Sequence, residues 1–496
     1  MSSEPNAAHQ AGQRAAKNAT VRAIGEIVGK FGSLALFFVL AREVGDDRFG
    51  IFVFALAWGE VAMTPVGLGI DQFLLRQVAE DRTRLDDYFL NAITLKAVRG
   101  VVVVLGSILL VYLLDYSHEV EQTVSIITAG LLFDTMARTF QNVFNAFERG
   151  ELVALSIVAQ RMIAAVAGIA LLFLGFGIVA VACAYSLGAV IRLVVSAELL
   201  RKRLRWPQMI QPADVRREIR ARSLTFTTAD LFGLVLARAD VLLLAALAAD
   251  AAVGQYGAAY RLFEATTFIN VALVGAFNAM YTYLGDDTDP TLSAVFQRSV
   301  KICLALLLPI AVVLGLLAEP LCRAFYGDDF GAAAVPLRML APVVVLFGIM
   351  VLCSVLVLSR ETPRRMVYTV AVAATVNIVL NLVFIPIYED GGAAFAMLVS
   401  MVVYVAIAFR LALLEVKRIE WASMLAAPVL AAVAMTVPLL VLGSIWPVAM
   451  FAGVVVYLAV YAAVDRVVEP ADFRFVVDLV RSRLPGPLRK TETREA

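Results

Sequence analysis

The residues with the most chemical potential in this sequence are ionisable groups set inside long apolar runs. Arg22, Glu26 and Lys30 follow one another at four-residue spacing in the first run, so a helix there carries all three on one face. Glu60 lies near the middle of the second run, Lys96 and Arg99 in the third, Asp134 and Arg138 in the fourth, Arg161 in the fifth and Arg192 in the sixth. Asp230, Arg238 and Asp240 share the seventh, Arg261 and Glu264 the eighth, and Asn377 and Asn381 form a polar i,i+4 pair in the eleventh. A charge deep in a membrane span costs about 2.5–3.5 kcal/mol on insertion scales, so such a group faces protein or water. Guanidinium groups hold phosphate oxygens in bidentate fashion. A hydrated, mostly cationic cavity between the first, second, seventh and eighth runs would therefore suit a large anionic, polar molecule. The competing reading is structural. Asp134 with Arg138, and Glu264 with Arg261, are spaced to pair within their own helices, and Lys96, Arg99 and Arg22 are long enough to snorkel to headgroups.

Other chemistry is poorly represented. Cys183, Cys303, Cys322 and Cys353 are far apart and form no C-x-x-C pair, which signals neither zinc nor a disulfide framework. His9 and His118 cannot build a metal site or a triad, so no metal and no catalytic residue is expected. There is no G-x-x-x-x-G-K-[ST] loop, because Gly29-Lys30 is followed by Phe31 within a helix; no nucleotide or other cofactor is expected. Energy would then come from an ion gradient, the membrane potential or the gradient of the transported molecule. An enzymatic alternative, a membrane glycosyltransferase or polysaccharide polymerase, calls for a large outer loop with acidic residues. The longest outer loop expected here is 319–333, where Asp328-Asp329 reads as a turn. Lys+Arg 42 against Asp+Glu 41 gives no bulk charge for nucleic acid.

The elements that must position these groups follow from composition. Of 496 residues, 61% are hydrophobic and 17% charged, and the mean hydropathy is +0.84. Soluble domains carry roughly 45–50% apolar and about 25% charged residues. The expected fold is all-α: a polytopic membrane protein with about fourteen transmembrane helices in two pseudo-symmetric six-helix lobes plus two C-terminal helices. The spans read as 24–43, 49–70, 91–114, 121–146, 152–174 and 177–200, then 223–247, 254–282, 297–318, 334–358, 366–387 and 392–414, with 421–443 and 446–465 last. The domain organisation is an N-tail (1–23), a first lobe (24–200), a linker (201–222), a second lobe (223–414), the last pair (421–465) and a C-tail (466–496). The N-terminus is polar for about twenty residues and does not resemble a cleaved signal peptide. Basic residues concentrate in both tails and the even connections, such as Arg76, Arg82 and Arg84, Arg201-Lys202-Arg203, and Arg364-Arg365. That places these connections and both termini on the cytoplasmic side of the cell membrane. A weak internal echo supports two halves: Leu40-Ala41, Val44-Gly45 and Phe49-Gly50 are matched by Leu247-Ala248, Val253-Gly254 and Tyr256-Gly257.

Three stretches carry a resemblance. Ala41-Arg42-Glu43-Val44-Gly45 through Phe49-Gly50 continues to Gly67-Leu68-Gly69-Ile70-Asp71 and Arg76. Phe325-Tyr326-Gly327-Asp328-Asp329-Phe330 precedes Ala332-Ala333-Ala334-Val335-Pro336-Leu337-Arg338 and Leu340-Ala341-Pro342. Asn377-Ile378-Val379-Leu380-Asn381-Leu382 runs to Ile385-Pro386, with Gly392-Ala393-Ala394 opening the next helix. In order and placement they resemble the O-antigen-flippase-like polysaccharide biosynthesis proteins of the multidrug/oligosaccharidyl-lipid/polysaccharide exporter superfamily. Tyr388-Glu389-Asp390-Gly391 and Arg360-Glu361-Thr362-Pro363 depart from the usual glycine-containing connections.

The resemblance implies two lobes around a central cleft that opens alternately to each side. It also implies a cargo of polyprenyl-(pyro)phosphate-linked oligosaccharide moved from the inner to the outer leaflet for cell-surface polysaccharide synthesis. Arg22, Lys30, Arg238 and Arg261 would hold phosphate or sugar, with Glu26, Glu60 and Glu264 as counter-charges or coupling groups. Spans 421–443 and 446–465 would accommodate the lipid tail. Partners would be the lipid-linked glycan and membrane lipids, together with the polymerase and glycosyltransferases of the pathway. A peptidoglycan lipid II flippase and a cation-coupled multidrug extruder remain alternatives within the superfamily, the arginine excess arguing against the extruder.

Overall fold

The computed structural model describes residues 4–67, 69–208, 232–283, 290–359, 363–416 and 419–468. In the first helix its side chains are described from Gly25 onward. Arg216, Arg217, Arg220, Arg222, Asp230, Arg360, Lys417, Arg418 and the tail beyond 468 lie outside the described residues.

All regular elements among the described residues are helices. Nine helical stretches there are long and apolar enough to cross a membrane. Two of these are folded into paired arms. Glu4–Gly67 breaks at Gly45 (φ 77°, ψ 177°), a conformation glycine takes without Cβ strain. Pro363–Glu415 breaks at Glu389 (φ 49°). The helix His118–Ala146, the 232–247 helix and the pair Asp250–Thr266 and Phe268–Tyr283 complete fourteen spans among the described residues. These last three carry Asp134, Arg138, Arg238, Arg261 and Glu264. Their polarity is the price of the site.

Within the first half, the arm before Gly45 lies against the helix Gly150–Phe173. Gly25, Gly29 and Gly32 share one face at i, i+4 and i+7, and a Cβ on them would fall 2.4 Å from Ala154 Cβ, 2.9 Å from Arg161 Cδ and 2.9 Å from Met162 Sδ. Small residues here let the backbones approach, as at many membrane helix interfaces. An apolar core runs through both halves without interruption, from Leu36 and Phe52 to Leu356 and Met401.

Two connections differ from expectation. The second is expected to be a loop after a span ending at residue 70. Instead the span ends at Gly67, Gly69 turns the chain with φ 64°, and an 11-residue amphipathic helix, Ile70–Glu80, follows. Ile70, Phe73, Leu74 and Val78 are buried in a satellite cluster with Phe89 and Phe140. The expected outer loop 319–333 is also ordered: it holds the helix Ala318–Tyr326 and the single turn Asp328–Phe330. The apolar spacing Leu321, Cys322, Phe325 and Tyr326 gives this short helix one buried side, which a reading of long apolar runs overlooks.

The two halves meet at the end of the molecule away from the basic connections. A Cβ on Gly50 would lie 2.0 Å from the Asp250 carbonyl oxygen, and one on Gly254 would lie 2.1 Å from that of Asp46. Backbone therefore touches backbone between the two echoed turns. Gln255 Nε2 donates to Asp46 Oδ2 at 2.9 Å and to the Asp329 carbonyl at 2.8 Å. Arg42 donates to the Phe325 carbonyl at 3.0 Å and also to that of Ala324, capping the C-terminal end of Ala318–Tyr326. Phe38 stacks on Phe325 at 4.8 Å, and Phe49 meets Phe330 edge-on at 5.5 Å. This end is sealed.

Candidate functional site

Below the seal lies a cavity of about 210 Å³, walled mainly by the first half and closed by the helix Asp250–Thr266 of the second. Each wall follows from a charge placed mid-helix. Lys30 and Phe37 come from the first arm, Glu60 from the second, and Asp134 and Arg138 from His118–Ala146. Gln160 and Arg161 come from Gly150–Phe173, Tyr185 and Arg192 from Ile178–Arg203, and Arg261 and Glu264 from Asp250–Thr266. Glu60, Leu131, Arg138 and Glu264 also line a second space of about 600 Å³, joined there by Arg238, Thr64, Asp71 and Gln72. This second space reaches Gly67 and Gly69, next to the helix bearing Arg76, so the cavity runs toward the basic end. Six cations (Lys30, Arg138, Arg161, Arg192, Arg238, Arg261) line the two spaces against four carboxylates (Glu60, Asp71, Asp134, Glu264), a difference of plus two.

The carboxylates hold the cations in place. Arg238 pairs with Glu60 and lies 4.0 Å from Glu264 Oε1; its guanidinium sits 5.5 Å from the Tyr260 ring centroid. Arg261 Nη1 donates to Glu264 Oε2 at 2.6 Å and covers Phe37 at 4.1 Å. Lys30 Nζ donates to Thr267 Oγ1 at 2.7 Å and to the Glu264 carbonyl at 3.3 Å. Lys30, Glu60, Arg238, Arg261 and Glu264 thus form one chain across the two halves. A second group lies deeper in the first half. Asp134 accepts from Arg138 Nε at 3.1 Å, from Gln160 Nε2 at 3.0 Å and from Arg192 Nη1. Arg192 is buried, and its Nε finds no acceptor among the described residues. Arg161 Nη1 reaches the Glu26 carbonyl at 3.5 Å. An oxyanion entering here would meet donors already ordered by packing.

Of the residues expected to bind substrate, the structure brings Lys30, Arg238 and Arg261 together. The Arg22 side chain lies outside the described residues. Of the expected counter-charges, Glu60 and Glu264 join the chain. Glu26 is one turn before Lys30, outside the lining of either space, and contributes its backbone carbonyl to Arg161. The cavity also extends further into the first half than a pocket between the first, second, seventh and eighth helices. Arg138, Arg161 and Arg192 were legible as mid-span charges, but Gln160 carries no charge and leaves no such signal.

Lys96 does not snorkel. It is fully buried and donates to Asp71 Oδ1 at 2.6 Å, to Thr139 Oγ1 at 2.9 Å and to the Thr135 carbonyl at 3.1 Å, fixing the helix Ile70–Glu80 under the cavity. In the second half, buried Asp240 accepts from Tyr256 Oη at 2.8 Å and from Asn381 Nδ2 at 2.7 Å. Asn381 Nδ2 also donates to Asn377 Oδ1 at 3.0 Å, so the polar pair seen in the sequence serves a carboxylate 141 residues earlier.

The fold is the one seen in solved polytopic transporters, among them members of the multidrug/oligosaccharidyl-lipid/polysaccharide exporter superfamily. The lipid II flippase MurJ in an inward closed conformation superposes with a TM-score of 0.68 at 12% identity, over 93% of this chain and 100% of that one. An inward-facing multidrug-resistance transporter of the MATE family gives 0.63 at 17% identity, over 80% and 98%. A transporter of the same superfamily from Pyrococcus furiosus, described as having a binding pocket of reverse polarity, gives 0.60 at 16% identity, over 81% and 94%. At these identities the likeness is one of fold. The sequence itself matches the polysaccharide biosynthesis protein family over residues 15–283, more than half of the chain, and the chain belongs to that family. No curated protein matches it significantly.

Proposed function

We propose that the protein is a flippase that carries a polyprenyl-(pyro)phosphate-linked oligosaccharide from the inner to the outer leaflet of the cell membrane. The observation that carries this reading is the excess of ordered arginine and lysine side chains in a cavity within membrane-spanning helices. An anion gains from such an environment, and a cationic drug is repelled by it. Arg238, Arg261 and Lys30 hold the phosphate side of the cargo, and Glu60 and Glu264 keep their heads in register when the site is empty. The basic connections and both termini face the cytoplasm. The cavity then opens toward the side where lipid-linked sugars are assembled, and the seal at Gly50 and Gly254 closes the other side. Movement alternates between this state and one opened at the seal. Glycosyltransferases supply the cargo and a polymerase takes it up.

The test is leaflet translocation of a fluorescent polyprenyl-diphosphate oligosaccharide in proteoliposomes. Transport by the native protein, lost in Arg238→Ala and Arg261→Ala with folding intact, supports the reading. Efflux of small organic cations without movement of any lipid-linked sugar refutes it.

A further inference from the structure

The second half contains its own cavity, of about 1,070 Å³, just above the roughly 300–1,000 Å³ typical of ligand pockets. Its walls come from helices that follow one another in the second half, as the walls of the charged cavity do in the first. There the fourth, fifth and sixth helices contribute Asp134, Arg138, Gln160, Arg161 and Arg192. Here the tenth, eleventh and twelfth helices contribute Phe347 and Met350, Val367 and Val370, and Met397, Met401 and Tyr404. The two cavities differ in polarity: the second is lined mainly by apolar side chains, with Gln72, Glu264, Thr267, Ser354 and Arg364 as its polar members. They are also continuous: Gln72, Ala237 and Glu264 line both the apolar cavity and the polar space containing Arg238.

We propose that the apolar cavity binds the headgroup-proximal isoprene units of the cargo's prenyl chain while the phosphate sits among the arginines. The proposal rests on the reading of the cargo as a prenyl-linked anion. It places this part of the chain inside the second half, not against the helices Trp421–Val441 and Trp446–Val468. The seam at Glu264 and Gln72 is where the polarity changes, so the phosphate–prenyl junction lies there. Methionine suits such a lining because its unbranched, polarisable side chain adapts to the methyl branches of an isoprenoid. A molecule with a charged head and an apolar stem matches both cavities only in one orientation.

The test uses the full chain in nanodiscs with three probes: geranylgeranyl diphosphate, geranylgeraniol and inorganic diphosphate. Met350→Trp and Val367→Trp each fill part of the cavity from a half-buried position. Each variant should weaken geranylgeranyl diphosphate about tenfold or more, as expected if roughly two methylene groups lose their burial. Inorganic diphosphate should bind both variants as it binds the native protein. A diazirine near the diphosphate end of the prenyl chain should cross-link within 347–370 or 397–404. Unchanged affinity for geranylgeranyl diphosphate in both folded variants, or cross-links confined to 421–468, would overturn the proposal. So would displacement of the probe's chain by bilayer phospholipid at equal concentration, which would make the cavity an acyl-chain site. Failure of inorganic diphosphate to compete in the native protein would instead defeat the anion reading of the first cavity, while the cross-links of geranylgeraniol would still decide where the chain lies.

Discussion

The seal between the two halves depends on two glycines, and adding one methyl group to either should loosen it. In Gly254→Ala the new Cβ falls 2.1 Å from the Asp46 carbonyl oxygen. Because the obstacle is backbone, no rotamer change relieves it; the two turns must separate. Gly254 lies inside the helix Asp250–Thr266, where alanine is the better helix former, so folding of the second half is not at issue. Overpacking of this kind costs about 1–3 kcal/mol in the sealed state and nothing once the turns part. That is a 5–150-fold shift in the equilibrium. If the native protein opens at the seal about 1% of the time, the variant should do so roughly 5–60% of the time. The interactions that hold the halves together here are the Gln255–Asp46 hydrogen bond, the two that Arg42 makes to Ala324 and Phe325, and the aromatic contacts Phe38–Phe325 and Phe49–Phe330, and the substitution alters none of these side chains. Spin labels at Asp47→Cys and Asp328→Cys, exposed positions in opposite halves, report the opening by electron–electron distance measurement in a Cys183→Ser background. A second, longer distance should appear in Gly254→Ala and not in Gly106→Ala, whose added Cβ meets nothing within 4 Å. An unchanged distance distribution in a folded Gly254→Ala protein would refute the reasoning.

Other expectations follow from the same geometry. Asp134→Leu strands the buried Arg192 and should destabilise the protein by about 3–5 kcal/mol in a steric-trapping unfolding assay; adding Arg192→Met should recover most of that, and equal losses in single and double variants would contradict a buried pair. Desolvation pushes Asp390, in the turn between the two arms of Pro363–Glu415, up to about 6. A carboxyl raised above its unfolded value stabilises the fold in its protonated form, a contribution present at acid pH and lost as pH rises through 6. The melting temperature should therefore fall between pH 5 and pH 7, and less so in Asp390→Asn. Arg238→Lys keeps the charge but loses the fork that bridges Glu60 and Glu264, and should retain only part of the translocation rate, with Arg238→Ala retaining less.

How much of this was legible in the sequence depends on the kind of signal. Long apolar runs and the bias of basic connections reveal the helices, and mid-span charges reveal Lys30, Glu60, Arg238, Arg261 and Glu264 as residues with business inside the protein. Periodicity alone does not reveal which of them meet. Lys96 looked like a residue that could escape to the headgroups, yet its partner Asp71 is supplied by a short helix hidden inside an expected loop. Asp240 and the Asn377–Asn381 pair were each visible, but their union depends on a contact between helices far apart in the chain. The apolar cavity left no trace, since its methionines and valines have the composition of any core. The glycines of the seal show in the sequence only as an echo of turn dipeptides, whereas their importance lies in how closely they let the two turns approach.

The helix Trp446–Val468 bears on how the molecule is made. Buried Lys301, in Pro290–Leu316, pairs at 2.6 Å with buried Asp465, near the end of Trp446–Val468, and Tyr457 Oη donates to the Ala305 carbonyl at 3.0 Å. The two charges are 164 residues apart (465 minus 301). At about 5–20 residues per second of synthesis, the carboxylate reaches the ribosome's exit on the order of ten to thirty seconds after the lysine. During that interval the helix carrying Lys301 enters the bilayer before its countercharge exists. A chain cut short before Asp465 therefore leaves the second half with an uncompleted membrane ion pair, so the helix Trp446–Val468 completes the charge balance of a helix made long before it.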